Sequence, residues 1–238
     1  MAQVINTNVA ALFAGAALNK SAIGLQTAQQ RLSSGLRINS AKDDPTGLVT
    51  ATSYDSQIRG TNMAIRNAND GISTAQTNDG YAAQITENLQ RLREIAVQLG
   101  GTASGAETTA LLAENSRLAG LTKADTAAVV DDNGTTASVV GTAITAPTGT
   151  TISAIDANIT SVSNARANYG ADMATFSSAV AAMQTASVNL SASYSRIMDT
   201  DYAAETANQA KNNILQQAGT AVLAQANQTP NTVLTLLR

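Results

Sequence analysis

The chain has 238 residues, a net charge of −3, 44% hydrophobic but only 3% aromatic residues, and no Cys, His or Trp. That excludes disulfide frameworks, Cys or His metal sites, any mechanism with a His base or Cys nucleophile, and a global attraction to nucleic acid. With 46 alanines and only 3 prolines, large core side chains are scarce, so thin helical bundles with closely approaching backbones are expected.

Residues 1–42 carry Lys20, Arg31, Arg37 and Lys42 and no acid. The opening MAQVINTNVAALFAG lacks the basic region and long apolar stretch of a secretory signal. An acid-free, Ala/Ser-rich start can also read as a mitochondrial presequence, but the helical pattern continues far past any cleavage site. No run of 18 apolar residues occurs, so membrane insertion is not expected. Leu18, Leu25 and Leu32 repeat at seven, with Ala11, Ala14, Ala22 and Ala28 beside them.

Asp43-Asp44-Pro45 predicts a helix start: a carboxylate cap, then Pro at the first helical position. Ile58, Ile65 and Ile72 repeat at seven, and Ala82, Ile85, Leu89, Leu92, Ala96 and Leu99 form a second stripe. The step from Ile72 to Ile85 is 13, one short of two heptads, which predicts a change of winding near Asp79-Gly80. Gly100-Gly101 ends this helix, and Ser104 with Glu107 reads as a capping box opening a helix to about Lys123. In 125–151 the helical pattern stops. Asn133-Gly134 between Val129-Val130 and Val139-Val140 predicts a β-hairpin. A calcium loop is rejected there, because Val129 and Val140 stand at the required first and last ligand positions. Asn133-Gly-Thr135 fits the N-glycosylation pattern, and O-linked sugar on the Thr/Ser-rich stretch 135–151 is the more plausible modification.

The longest periodic stretch steps by fours and threes from Ile155 to Ile197. Only Arg166 and Ser187 break an otherwise apolar stripe. At 1.5 Å per residue such a helix runs roughly 65 Å. Tyr169, Met173, Phe176 and Met183 read as seam packing rather than a cofactor pocket. Arg166 is expected to extend to water, with pairing to an acid across the bundle as the alternative. Asp199-Thr200-Asp201 reads as helix punctuation rather than a catalytic acid pair. Ala203, Ala207, Ala210, Ile214, Gln217, Ala221 and Ala224 give a last thin stripe, followed by Val233, Leu234, Leu236 and Leu237. Isolated helices with so little apolar area are marginal in water, so both ends are expected to need a partner.

Four blocks resemble bacterial flagellin. VINTNVAAL at 4–12 goes with LQTAQQRLSSGLRINSAKDDPTGL at 25–48, and QIRGTNMAIRNANDGISTAQTNDG at 57–80 with LQRLREIAVQ at 89–98. SRIMDTDYAAE occupies 195–205 and ILQQAGTAVLAQANQTPNTVLTLL 214–237. Pro45-Thr46 replaces the small-residue run that often follows the paired acids, and the usual Phe-Asn-Gly element before the hairpin is missing. The resemblance implies a short form without large variable outer domains. The implied fold is mainly α: a long antiparallel helical bundle or coiled coil formed by both chain ends, with a small β-hairpin region in the middle. Residues 1–42 plus 198–238 would form a terminal coiled coil in the filament core, 43–124 plus 152–197 the helical bundle of the tube wall, and 125–151 a hairpin or variable segment.

The same resemblance implies a structural subunit of an extracellular flagellar filament, exported unfolded by the flagellar type III apparatus behind an uncleaved N-terminal segment. The implied partners are other copies of itself, an export chaperone, cap and hook-junction proteins, and the animal Toll-like flagellin receptor. No cofactor, nucleic acid or membrane insertion is implied. Polymerisation contacts would fall on Leu18, Leu25, Leu32, Ile214, Val233, Leu234, Leu236 and Leu237. Receptor contacts would fall on Arg91, Glu94, Ile95 and Gln98, with Glu114 on the next helix. On the heptad reading these four share an outward face while Leu89, Leu92, Ala96 and Leu99 point inward. The competing readings are a hook–filament junction protein or a helical surface adhesin. An enzyme is nearly excluded, because the zinc peptidase inserted in some flagellins needs His ligands.

Overall fold

The computed structural model describes residues 7–122, 128–129, 136–137 and 143–236. The elements are helices α1 (Val9–Ser34), α2 (Pro45–Gln98) and α3 (Ala106–Leu121), strands β1 (Ala128–Val129) and β2 (Thr136–Ala137), and helices α4 (Ile152–Met198) and α5 (Tyr202–Leu236). The fold is mainly α, as expected. The chain divides into two compact units, one of Met1–Ser53 with Ala192–Arg238 and one of Tyr54–Ser191. The division falls inside α2 and α4 rather than in the linkers. Ala51 near the start of α2 and Met198 at the end of α4 share a small core with Ile38, joined by Leu48, Tyr194 and Ile197.

In the Tyr54–Ser191 unit, α4 buries Ile155, Val162, Tyr169, Phe176 and Met183, one large side chain every seven residues. Each is worth about 1.5–3 kcal/mol of burial before entropy costs. The facing line on α2 is built mostly of small residues. It runs unbroken in steps of three and four from Thr61 through Ala64, Ala68, Gly71, Ala75, Asn78 and Ala82 to Ile85, Leu89, Leu92 and Ala96. Ile58, Ile65 and Ile72 are half-buried beside this line rather than on it, and the expected phase slip at Asp79-Gly80 does not occur. The reason is close approach. A Cβ at Gly71 would lie 2.8 Å from the Phe176 ring, so the seam takes the small residues and leaves the isoleucines at its flank.

Arg166 is part-exposed but does not simply extend to water. Its Nε donates to Asp79 Oδ1 at 2.7 Å, so the pairing alternative holds. Tyr169, 1% exposed nearby, has its hydroxyl pKa pushed up by burial and by the charges of Asp172 and Asp79. The α2 terminus is a Schellman motif: Gly100 N donates to Val97 O and Gly101 N to Ala96 O, with φ positive at both glycines. Thr102 and Thr151 form an isolated antiparallel bridge between the loops after α2 and before α4. The expected capping box is absent. The N-cap of α3 is Gly105 rather than Ser104, a residue with no side chain to cap with, and Glu107 accepts from Arg91 instead. β1 and β2 pair antiparallel, Ala128 opposite Ala137 and Val129 opposite Thr136. The Asn133-Gly134 turn lies outside the described residues.

In the other unit, α1 and α5 pack antiparallel. Asn8 Nδ2 donates to Ala226 O, Leu18 lies against Gly219, Gly24 against Asn212, and Arg31 Nη1 sits 3.7 Å from Glu205. The antiparallel pairing of the two chain ends is the one expected. α1 buries Ala14, Ser21 and Ala28, with Leu18, Leu25 and Leu32 half-buried beside them. Asp44 Oδ1 caps α2 by accepting from Gly47 N, and Asp201 Oδ1 caps α5 by accepting from Ala203 N and Ala204 N. Asp199 accepts from Ser195 Oγ, so both acids of the 199–201 stretch serve helix ends.

Candidate functional site

Two surfaces carry the sequence-predicted residues. The first is the α2–α3 face of the Tyr54–Ser191 unit. The Gly100-Gly101 reversal brings α3 back along α2. Arg91 then reaches two carboxylates: Nε donates to Glu107 Oε1 at 2.8 Å and Nη1 to Glu94 Oε2 at 3.1 Å. These bonds, that to Glu107 foremost, raise the Arg91 pKa further above its ordinary value. Glu114 engages Arg117 through both of its oxygens at 2.9 and 2.7 Å, and that bond holds its carboxyl below the usual range. Arg91, Glu94 and Gln98 are exposed. The face is therefore a set of solvated charge pairs that offers guanidinium and carboxylate groups to a partner but builds no enclosed pocket.

Ile95 does not belong to that face. It is 8% exposed and sits in the core with Leu92, Ala96, Leu118 and Ala119, whereas Leu99, expected inside, is 55% exposed. Both corrections have one cause. α3 covers the side of α2 on which Ile95 lies, and α2 ends at Gln98, so Leu99 is in the reversal. Sequence reasoning missed Glu107 and Arg117 as members of the face. A signal existed in Glu107, whose acid was assigned to a cap. Asn88, whose Nδ2 donates to the fully buried Asn115 Oδ1 at 2.8 Å beneath this face, carried no such signal.

The second surface lies on α1 and α5. α5 turns Glu205, Gln209, Asn212, Gln216, Gly219, Leu223 and Ala226 toward α1, a largely polar or small line. The expected stripe of Ala203, Ala207, Ala210, Ile214, Gln217, Ala221 and Ala224 is exposed throughout, with Ile214 66% accessible. On α1, Val9, Leu12, Phe13 and Ile23 are 58–79% exposed. The physical reason is again close approach: Gly24 and Gly219 admit no Cβ without displacing Asn212 or Leu18, so the line of tight contact takes small and polar residues. Of the predicted polymerisation residues, Leu18, Leu25 and Leu32 are half-buried at the α1–α5 contact and Ile214 is outward. The side chains of Val233, Leu234 and Leu236, and all of Leu237, lie outside the described residues.

Among the described residues, no group of three or more acidic side chains is placed to hold a metal ion, and no helix is long and apolar enough to cross a membrane. Residues 5–126 match the family model for the bacterial flagellin N-terminal helical region, and residues 152–237 match that for the C-terminal helical region. The chain is 46% identical over 149 residues to a flagellin of Salmonella rubislaw, covering 59% of this chain and 30% of that protein. It is equally similar to the phase 2 flagellin of Salmonella typhimurium strain LT2, covering 29% of it. The phase 1 flagellin of Salmonella naestved is 57% identical over 98 residues, 41% of this chain and 19% of that protein. The chain thus spans less than a third of the length of these relatives.

Proposed function

Because this chain belongs to the bacterial flagellin family, we propose that it is a structural subunit, not an enzyme, that polymerises into the extracellular flagellar filament used for motility. Residues 1–42 with 198–238 form the filament core in this reading, and 43–124 with 152–197 the tube wall. Export proceeds unfolded through the flagellar type III apparatus, and the export chaperone, cap and hook-junction proteins are partners. The observation that carries the reading is the outward apolar stripe on α5 together with Val9, Leu12, Phe13 and Ile23 on α1. A chain that packs α5 on α1 by its more polar face holds its more apolar face for another copy. Purified chain seeded with filament fragments should grow long uniform filaments in electron micrographs. Stable monomers or short oligomers would favour the hook–filament junction or adhesin reading instead.

A second reading is that the α2–α3 face is a ligand of the animal Toll-like flagellin receptor. It is supported by the exposure of Arg91, Glu94 and Gln98, with Glu114 on α3; Ile95 acts from below by holding α2 against α3. Arg91→Ala should lower receptor activation by monomer roughly tenfold, as for one interface anchor, with unchanged circular dichroism. Filaments, in which neighbouring subunits cover the face, should activate poorly. Undiminished activation by folded Arg91→Ala removes the assignment.

A further inference from the structure

The linker after α1 and the linker before α5 are joined to each other. Leu36 and Asp199 form an isolated antiparallel bridge, in which Arg37 N donates to Met198 O at 2.6 Å and Thr200 N to Gly35 O at 2.9 Å. The Arg37 guanidinium fastens the bridge from outside: Nε and Nη2 both donate to Ile197 O, at 3.2 and 2.8 Å. Ile197 lies in the last turn of α4, where main-chain carbonyls lack intrahelical partners and a cation is favoured. Tyr202 Oη donates to Leu32 O at 3.3 Å, tying the first residue of α5 to the end of α1. Beneath the bridge Ile38 and Met198 are 2% and 6% exposed.

This joint differs in kind from the helix pair it serves. Beyond it, α1 and α5 meet through buried Ala14, Ser21, Ala28 and Ala226, interleaved with amides and a glycine. Leu18, Leu25, Leu32 and Leu223 are half-buried along the same thin seam, which neither helix can form without the other. Strands of chain 160 residues apart are instead brought together at one anchored end. Once that end is closed, each helix meets the other at a high effective concentration. We infer that the Arg37-fastened joint couples the order of the two chain ends, so that α1 and α5 become ordered as one unit growing outward from residues 35–37 and 198–200, with Arg37 as the positioning residue. The coupling regulates the assembly proposed above and rests on that reading only for its use. A chain end cannot offer its outward stripe until the other end has closed with it.

The test uses full-length monomer, so that its outcome is separate from polymerisation. Because the chain has no cysteine, Gln26→Cys and Asn213→Cys, both at exposed positions, give single spin-label sites on α1 and α5. Trimethylamine N-oxide, which favours burial, is titrated in while nitroxide mobility is read. Both labels should immobilise at the same osmolyte midpoint. Arg37→Ala should raise both midpoints equally although Arg37 is remote in sequence from α5, and Arg37→Lys, with one donor group in place of a fork, should raise both by less. Separate midpoints in the unmutated background, a shift of the α1 label alone, or no immobilisation of either label in the osmolyte would overturn the inference.

Discussion

Ile214→Asp leaves a chain that folds and does not form filaments. Ile214 is 66% exposed, so a carboxylate there stays solvated in the monomer and changes stability by no more than about 0.5 kcal/mol. At a contact between copies the same carboxylate must lose its water against an apolar stripe. A penalty of about 3 kcal/mol per contact raises the critical concentration more than a hundredfold. Seeded growth followed by sedimentation measures it, and Ile214→Val serves as the control that keeps filaments. Polymerisation of the Asp variant at the unmutated protein's concentration would show that the outward stripe of α5 is not a polymer contact.

Ile95→Asp, by contrast, unfolds the three-helix end of the Tyr54–Ser191 unit. Ile95 is 8% exposed among Leu92, Leu118 and Ala119, so the change removes core volume and buries an unpaired carboxyl. Together these cost about 3–5 kcal/mol, a large share of a domain's total stability. Thermal melting by circular dichroism should show a strongly lowered transition, whereas the exposed Arg91→Ala should melt with the unmutated protein. A native melt for Ile95→Asp would place this side chain on the outer face after all. Loss of receptor activation in an Ile95 variant therefore says nothing about contact unless folding is measured with it.

The contrast between these two isoleucines indicates what was legible in the sequence. The α4 stripe was readable because its buried positions are large and recur every seven residues, and no other period fits them. The Asp44-Pro45 and Gly100-Gly101 punctuation was readable because a cap and a positive-φ reversal need those residue types locally. The seam of α2 was misread because inspection follows the largest side chains, Ile58, Ile65 and Ile72, whereas close packing against Phe176 selects Ala and Gly. On α5 the two faces differ only slightly in apolar content, and which of them meets α1 depends on the partner rather than on α5 itself. Glu107 was assigned to a cap because Ser104 stood three residues before it. The carboxylate pairs with Arg91 only once the reversal has laid α3 along α2, and Ile95 goes inside for the same reason. The α2–α3 face was thus half legible: its residue types could be read in order, but a helix arriving from elsewhere decided which of them remained outside.

The seam between α2 and α4 has one further consequence. Because α4 supplies the bulk and α2, from Ala64 to Ala82, the space, the two helices do not tolerate change in the same direction along that stretch. On α4 a smaller residue leaves a void that neighbours can partly close. On α2, at Gly71 above all, a single added methyl meets the Phe176 ring at 2.8 Å with little room to yield. Sequence drift along this pair should therefore run one way on each helix, toward trimming on α4 and against growth on α2, so that a larger side chain on the Ala/Gly line becomes acceptable only after its opposite number has shrunk.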